Sequence, residues 1–246
     1  MSGNGNGHTS PAESRARAFA RRRFGEAAKV EPLAGDASDR SFFLIRLPGM
    51  SPLMAMLHPE PFRLDELPWF VHGRFLGELG LSVPAVVGSW PGEGILLVQD
   101  LGDDTLQRVL ETITPERRLF LYRQAVHIIV SLQEEGTPAL TPELPASRTA
   151  LDLDRLLFEL RFFHQHYIQG LLGDPLSTAE TALLEDWFLE LASAVAESRQ
   201  VLCHRDFHSR NLMLRGDRLY MVDFQDARRG PWLYDCLLYT SDAADE

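Results

Sequence analysis

One stretch of the chain decides the fold class: residues 201–223, which read Val201-Leu-Cys-His-Arg-Asp-Phe-His-Ser-Arg-Asn-Leu-Met-Leu-Arg-Gly-Asp-Arg-Leu-Tyr-Met-Val-Asp223. Apolar residues 212–214 and 219–222 flank a central Arg-Gly-Asp-Arg, a composition typical of a β-hairpin turn. A polar loop precedes this hairpin, and an aspartate follows its second strand. The sequence therefore predicts polar side chains gathered at the open end of a short hairpin.

The spacing of these polar residues matches a known catalytic loop. His204-Arg205-Asp206 with Asn211 fits His-Arg-Asp-x-x-x-x-Asn of the protein-kinase-like fold, and Asp223-Phe224 stands where that fold keeps a metal-binding Asp-Phe-Gly. The alternative is that these are loop-capping carboxylates around a solvated turn. Order and spacing both favour a phosphoryl-transfer site.

The hairpin also gives a geometric test of the metal ligands. Residues whose numbers sum to 433 or 434 should face one another across the ladder, and Asn211 and Asp223 sum to 434. In a three-residue turn register, their side chains would emerge side by side and offer oxygen ligands suited to Mg²⁺. In a two-residue register the pairing slips by one residue, and this argument weakens.

Asp206, in the loop before the hairpin, is the predicted catalytic residue. Its role would be to orient a substrate hydroxyl and accept its proton while metal ions offset charge on the transferring phosphoryl group. His204 and Cys203 are predicted to be packed structural residues.

The rest of the chain predicts an α+β, bilobal protein-kinase-like fold. A tail (1–10) precedes a first lobe over residues 11–100. In this lobe we predict a helix over 11–24 capped by Ser10 and a helix over 66–79 capped by Asp65. The predicted strands of the lobe lie near residues 30–47 (two runs), 53–57, 83–87 and 94–99. From 101 to 235 the period changes to that of helices, predicted at 115–135, 152–169 and 178–198. The first lobe would be an antiparallel nucleotide-binding sheet plus a helix, and the second a mainly helical, incomplete lobe with the catalytic loop.

Predicted nucleotide contacts lie in the first lobe. The turn 35–41 could fold over phosphates through Ser38, Ser41 and backbone N–H groups, although such turns are common in plain hairpins. The third strand lacks the lysine that protein kinases place there, so Arg40, with Arg46 second, is the candidate substitute unless both are surface residues. Gln99, Asp100 and Leu101 would form a hinge whose backbone pairs with adenine, or a hinge without a ligand.

Composition narrows the partners and the compartment. The chain has 246 residues and a formal net charge of -11, which argues against nucleic acid or an anionic membrane surface as the main partner. Two cysteines without metal-ligand neighbours and no apolar run of spanning length predict a cytoplasmic protein with a small-molecule substrate. Of 24 basic residues, Lys29 is the only lysine.

The motifs resemble the aminoglycoside phosphotransferase and choline kinase superfamily over about residues 10–235. Gly35-Asp-Ala-Ser-x-Arg40, Asp100-Leu-Gly-Asp103, the catalytic loop and Asp223-Phe-Gln-Asp-Ala-x-x-Gly-Pro231 look most like the bacterial anomeric kinases, which phosphorylate the 1-hydroxyl of N-acetylmuramate or N-acetylglucosamine in cell-wall recycling. The resemblance implies ATP and Mg²⁺ as cofactors, an amino sugar as acceptor, Asp206 as catalytic carboxylate, and Asn211 with Asp223 as metal ligands.

The resemblance departs from the family at the end of the chain. Residues 236–246, Cys-Leu-Leu-Tyr-Thr-Ser-Asp-Ala-Ala-Asp-Glu, resemble a translated sequencing adapter. We therefore expect this tail to be non-native and the family's further helices to be missing.

Two other functions remain open at this point. The same fold could take an aminoglycoside, choline or another small alcohol, with an acidic pocket that includes Glu159 and Asp186. The missing lysine instead favours a nucleotide-binding pseudokinase, against which the presence of Asp206, Asn211 and Asp223 speaks.

Overall fold

A computed structural model describes residues 10–33, 39–173 and 176–236, which divide into two compact units. One unit contains the residues up to Val71 together with Val83–Asp103, and the other contains His72–Ser82 and the residues from Asp104 onward. The predicted lobes differ from this division mainly in residues 72–82, which group with the second unit. Within the described ranges, no helix has the length and apolar character that a membrane crossing requires.

The first unit is a five-stranded antiparallel sheet with one long helix packed on it. The helix α1 (Pro11–Phe24) is followed by β1 (Lys29–Pro32), β2 (Ser41–Arg46), β3 (Leu53–Leu57), β4 (Val86–Trp90) and β5 (Ile95–Gln99), in the sheet order β1-β2-β3-β5-β4. The N-terminus of α1 is capped by Ser10 as predicted, because the Ser10 hydroxyl accepts a hydrogen bond from the Glu13 backbone N–H at 3.1 Å.

The core of this unit forms between α1 and one face of the sheet. Phe19 is buried and packs edge-on against Trp90, with ring centroids 4.7 Å apart. Alternate strand residues such as Phe43 and Ile45 join the same cluster, as the period-two pattern requires. The sheet is thus held by apolar burial rather than by the ion pairs at its surface.

The helix α2 (Pro68–Glu78) begins two residues later than predicted. Residues 64–66 form a separate short 3₁₀ turn, so Asp65 does not cap α2 and instead pairs with Arg63 at 2.9 Å. Gly80, with a φ of +78°, lies beyond the last turn of α2, where a left-handed residue can end a helix. The predicted Asp65 cap is therefore wrong, because α2 begins three residues after Asp65.

The second unit is mainly helical. Its helices are α3 (Leu106–Leu110), α4 (Pro115–Ser131), α5 (Pro145–Arg148), α6 (Leu153–Phe163) and α7 (Thr178–Ala196). The predicted helices near 115–135 and 152–169 each end in wider π turns, at Leu132–Gly136 and His164–Leu171. The predicted capping box of Ser177 and Glu180 starts α7.

Two small antiparallel ribbons complete the second unit. β6 (Gln200–Cys203) pairs with β9 (Arg228–Pro231), and β7 (Leu212–Arg215) pairs with β8 (Arg218–Met221). The second ribbon is the predicted hairpin, but its residue pairs sum to 433, as in Leu212 opposite Met221. The turn is therefore of the two-residue type, the alternative in which Asn211 and Asp223 do not pair directly and the geometric argument weakens.

The reason for this register lies in the turn itself. Gly216 has a φ of +62°, whereas Asp217, the second central residue, is not among the positive-φ residues. A glycine with positive φ in the first central position is the pattern of a tight two-residue turn whose twist matches that of the strands. A three-residue turn would need its left-handed residue later.

Candidate active site

Asp206 lies in the loop that follows β6, with a half-buried carboxylate that accepts no hydrogen bond from any described residue. Burial raises the pKa of this carboxyl, the Arg205 charge opposes that rise, and the Asp223 carboxylate adds to it. The charges of Asp206 and Asp223 therefore lie close enough to repel each other. A carboxylate left without donors in such a place is available to a substrate hydroxyl.

His204 fixes the shape of this loop. Its ring is buried, its Nε2–H donates to the Val222 carbonyl at 2.9 Å, and its Nδ1 accepts the Asp206 backbone N–H at 3.3 Å. Burial lowers its pKa to about 4, so the ring stays neutral in the pH range of most enzymes. The predicted structural role of His204 agrees with these contacts.

Asp235 is a second fixed point that the sequence analysis did not identify. Its buried carboxylate accepts the His204 backbone N–H at 2.7 Å and the Arg205 N–H at 2.9 Å. Burial raises its pKa to about 6, although both hydrogen bonds favour the charged form. Arg205 is held there with a φ of +84°, an uncommon conformation for a residue with a side chain. The contact spans thirty residues, so no local signal could reveal it.

Asn211 and Asp223 lie at the open end of the hairpin. The Asn211 backbone carbonyl accepts the Val222 N–H at 3.0 Å, and its side-chain amide donates to the Asp206 carbonyl at 2.9 Å. Asp223 then turns away from the ladder with a φ of +63° and accepts a hydrogen bond from Gln225 at 2.6 Å. The structure thus brings Asp206, Asn211 and Asp223 together, although not by the predicted strand pairing.

The hairpin is held from its turn end by α4. Arg117 contacts the Asp217 carboxylate at 2.6 Å, and Gln124 bonds the Asp217 carbonyl at 2.8 Å and the Leu219 N–H at 3.2 Å. These contacts tie a solvent-exposed turn to a long helix. The residues at the other end of the hairpin are positioned as a consequence.

Residues of α2 hold the segment after Asp223. The buried His72 ring lies 3.1 Å from the Gln225 carbonyl and accepts the Ala146 N–H at 3.1 Å. A Cβ built on Gly73 would lie 3.2 Å from the Phe224 ring, so the glycine allows this ring to pack closely. Neither His72 nor Gly73 was among the predicted site residues.

A metal ion would find oxygen ligands here but no prebuilt cage. Among the described residues, no group of three or more His, Cys, Asp or Glu side chains is arranged to hold a metal. Both described contacts of the Asn211 amide group, to the Asp206 carbonyl and the His208 ring, use its nitrogen, so its oxygen has no described hydrogen bond. With Asp223 it offers the few oxygen ligands that Mg²⁺ uses when phosphates and water complete its shell.

The predicted phosphate contacts in the first unit are only partly visible. Ser38 lies outside the described residues, and Ser41 is the first residue of β2, opposite Leu57 of β3. The Arg40 guanidinium is half-buried, 3.8 Å from the Met56 sulfur and 5.8 Å from the centre of the Phe42 ring. Arg40 is thus anchored on its own sheet.

Arg46 and the hinge residues have different surroundings. Arg46 forms a surface ion pair with Glu31 at 3.0 Å. The Gln99 N–H donates to the Ala85 carbonyl at 2.8 Å, so it cannot also pair with adenine. The backbone of Leu101 makes no hydrogen bond with described residues, so its N–H and carbonyl groups are available at the position predicted to be a hinge.

The family can be assigned once this loop and hairpin are compared with known proteins. A sequence model described as the phosphotransferase enzyme family (APH) matches residues 29–244. The chain belongs to this family.

Two bacterial relatives of this chain have the same name. The chain is 29% identical over 216 residues to the N-acetylmuramate/N-acetylglucosamine kinase of Pseudomonas aeruginosa, which covers 88% of the chain and 60% of that protein. The enzyme of the same name from Neisseria meningitidis serogroup B is 28% identical over 211 residues, or 85% of the chain and 60% of that protein. The chain therefore spans about 60% of the length of the curated relatives it matches.

Solved structures show the same fold. The ternary complex of streptomycin, ATP and the phosphotransferase APH(2'')-IIa matches with a TM-score of 0.64 at 17% identity, covering 92% of this chain and 74% of that one. A choline/ethanolamine kinase family protein from Mesorhizobium loti matches with a TM-score of 0.60 at 16% identity, covering 96% and 72%. The predicted α+β, protein-kinase-like fold class is confirmed.

Proposed function

We propose that the protein, with Mg²⁺, transfers the γ-phosphoryl group of ATP to the anomeric hydroxyl of N-acetylmuramate or N-acetylglucosamine. The observation that carries the proposal is the Asp206 carboxylate, half-buried, without a described hydrogen-bond donor and beside Asn211 and Asp223. The relatives named N-acetylmuramate/N-acetylglucosamine kinase support the choice of acceptor sugar. We also propose that the protein acts in the cytoplasm.

Asp206 supplies the acid–base function of this reaction. Its carboxylate orients the sugar hydroxyl and accepts the proton as the oxygen attacks the terminal phosphorus, while ADP leaves. His204 and Asp235 hold the loop so that the carboxylate keeps its position. Asn211 and Asp223 would hold Mg²⁺, which offsets negative charge on the phosphate oxygens when bound.

The nucleotide contacts are proposed separately for the first unit. Arg40 would take the part of the missing lysine, because its guanidinium stays charged and can bind phosphate oxygens in a bidentate way. The hydroxyls of Ser38 and Ser41 are further phosphate contacts. Leu101 is the hinge residue whose backbone groups could pair with adenine, with Asp100 and Gln99 beside it.

The described residues do not favour a cationic acceptor. Glu159 is paired with Arg155 at 3.1 Å, and Asp186 is exposed on α7. Neither carboxylate is available in an acidic pocket of the kind that an aminoglycoside or choline would need. A pseudokinase would have little use for Asp206 as a proton acceptor.

The test is an acceptor panel with protein expressed from its complete gene. ADP release would be followed with N-acetylmuramate, N-acetylglucosamine, kanamycin and choline, with Mg²⁺ and with EDTA. We expect Mg²⁺-dependent ADP release with the amino sugars, together with loss of the sugar's reducing end, which only phosphorylation at the anomeric position removes. Turnover with kanamycin or choline alone would refute the proposal. Nucleotide binding without turnover on any acceptor would favour the pseudokinase.

A further inference from the structure

Two arginines stand next to the catalytic carboxylate in the second unit. Arg205 immediately precedes Asp206 in the loop, and Arg228 is the first residue of β9. In the β6–β9 ribbon, Arg228 lies opposite Cys203, the last residue before the loop. The two side chains are thus brought to the same end of this ribbon by separate parts of the chain.

Both guanidinium groups are largely buried but poorly paired. Their side chains are 24% and 16% exposed, and the carboxylate they share is that of Asp226, at 3.9 Å from Arg205 and 3.6 Å from Arg228. These distances exceed the 2.7–2.9 Å or so of a charge-assisted hydrogen bond. Arg228 does donate through Nε to the Asp226 backbone carbonyl at 3.1 Å. The terminal nitrogens of both arginines therefore lack a hydrogen-bond acceptor among the described residues.

Charged groups of both signs surround this pair: Asp206 and Asp226 lie near Arg205, and Asp226, Arg155 and Glu159 lie near Arg228. Asp226 faces both arginines, while the neighbouring Arg155 is already paired with Glu159 at 3.1 Å. Burial lowers the pKa of Arg228, and repulsion from Arg205 lowers it further. One additional negative group would satisfy unused donors and relieve this repulsion.

The loop is also preorganised to keep Arg205 in place. Its φ of +84° is an unfavourable conformation for a residue with a side chain. The buried Asp235 carboxylate maintains that conformation by accepting the Arg205 N–H at 2.9 Å. A site that is fixed before the ligand arrives binds with less loss of conformational freedom.

We infer that Arg205 and Arg228 form a carboxylate-binding site for the acceptor, so that the protein prefers an acidic amino sugar over its uncharged counterpart. This inference rests on the proposed function and adds the feature of the acceptor that is recognised. An arginine fork binds carboxylate and phosphoryl oxygens through the same geometry. The ligand group could therefore be the carboxylate of the sugar or a phosphoryl oxygen of the nucleotide, and the test separates them.

The test compares two acceptors that differ in one acidic group. N-acetylmuramate carries a lactyl ether with a carboxylate, and N-acetylglucosamine has a hydroxyl in its place. The ratio of kcat/KM for the two sugars is measured in the wild type and in Arg228→Gln. We expect this ratio to fall about 10- to 100-fold in the variant, the usual effect of losing a hydrogen bond to a charged group.

Two further variants control for folding and for charge. Arg161→Gln removes an exposed arginine of α6 that pairs with Glu185 at 2.9 Å, and it should leave both sugars and their ratio unchanged. Arg228→Lys keeps the charge but not the planar fork, so its ratio should lie between those of the wild type and Arg228→Gln. Urea unfolding reports whether each variant is folded, and Arg205→Gln gives a second measure of the ratio if Arg228→Gln does not fold.

Other outcomes would overturn the inference. An equal loss on both sugars in Arg228→Gln would assign the arginines to a phosphoryl group of the nucleotide. If the wild type released ADP with neither sugar, the proposed function would be refuted, but the carboxylate-binding site would still be open to test. Calorimetry would then measure the binding of each sugar to the wild type and to Arg228→Gln. Binding of N-acetylmuramate that is lost in Arg228→Gln would support the site, and equal wild-type affinity for both sugars would refute it.

Discussion

Asp206 owes its chemical character to its neighbours. Burial raises its pKa, Arg205 and His208 oppose the rise, and Asp223 and Asp226 add to it. Proton acceptance needs the ionised carboxylate, so we expect turnover to increase with pH through this raised pKa. The bound metal would shift that dependence to lower pH, because a cation favours the charged form.

Replacing Asp206 by asparagine should abolish proton acceptance while leaving the shape of the loop. We expect Asp206→Asn to lower kcat about 100- to 10,000-fold, the range typical of acid–base groups, with ATP binding retained. ADP release and nucleotide titration measure the two effects separately. Asp186→Asn, at an exposed position of α7, is the matched control and should keep turnover. Full activity of Asp206→Asn would show that another group accepts the proton.

Asp235 should make stability depend on pH in a defined direction. Its folded-state pKa of about 6 lies above the unfolded value of 3.8. The folded protein therefore binds more protons between these values, and the contribution of this carboxyl to stability is fully present below 3.8 and lost as pH rises through 6. Because Asp235→Asn cannot titrate, we expect the stability of the wild type relative to the variant to fall by roughly 2 kcal/mol between pH 4 and 7.

Urea unfolding at several pH values checks this expectation. Asp217→Asn removes one carboxylate from an exposed turn, and its stability difference should not show the same fall. A constant difference between the wild type and Asp235→Asn across this range would contradict the raised pKa.

At the residue scale, the sequence predicted residue types better than contacts. Asp206, Asn211 and Asp223 could be named because their spacing is fixed along one stretch of chain. Asp235 and His72 could not, since each acts through a contact with a residue at least thirty positions away. The register of the hairpin was undecided for a similar reason, because one residue of turn geometry changes every pairing.

At the element scale, long periodic segments were predicted well and short ones were missed. α4, α6 and α7 each have enough turns to show a helical period. Their N-terminal caps are Thr114, Asp152 and Ser177, and the Asp152 cap of α6 was not predicted. The ribbon of β6 and β9 joins four-residue strands that are far apart in sequence. Strands this short carry too few alternations to be recognised.

The hairpin turn should respond to substitution in the opposite way from a helical glycine. Gly216→Ala forces a Cβ into a left-handed conformation and should cost about 1–2 kcal/mol of unfolding free energy. Gly77→Ala, in α2, places its Cβ where no atom lies within 4 Å and should gain about 0.5–1 kcal/mol. Urea unfolding followed by tryptophan fluorescence measures both changes.

Gly216→Ala and Gly77→Ala are controls for each other, because both variants add the same methyl group. Since the hairpin carries Asn211 and Asp223 at its open end, Gly216→Ala should also weaken the Mg²⁺ dependence of turnover. Equal stability of the two variants would show that the turn does not fix the register of the hairpin.

At the scale of the whole molecule, the distribution of basic residues sets a constraint on phosphate binding. Among 24 lysines and arginines, Lys29 is the only lysine, and it is exposed in β1 opposite Arg46. Arg46 is in turn paired with Glu31 at 3.0 Å. Arg40, by contrast with the exposed Lys29, is half-buried on the sheet beside the Met56 sulfur.

A chain without any lysine should therefore still bind ATP. We expect Lys29→Arg to leave the Kd for a fluorescent ATP analogue unchanged, and Arg40→Ala to raise it about 10-fold or more, because a hydrogen bond between charged groups at the phosphates is lost. Arg46→Ala, which breaks a surface ion pair, should have a smaller effect than Arg40→Ala. A Kd that rises in Lys29→Arg but not in Arg40→Ala would mean that Lys29 holds the phosphates after all, and the assignment of Arg40 would then be wrong.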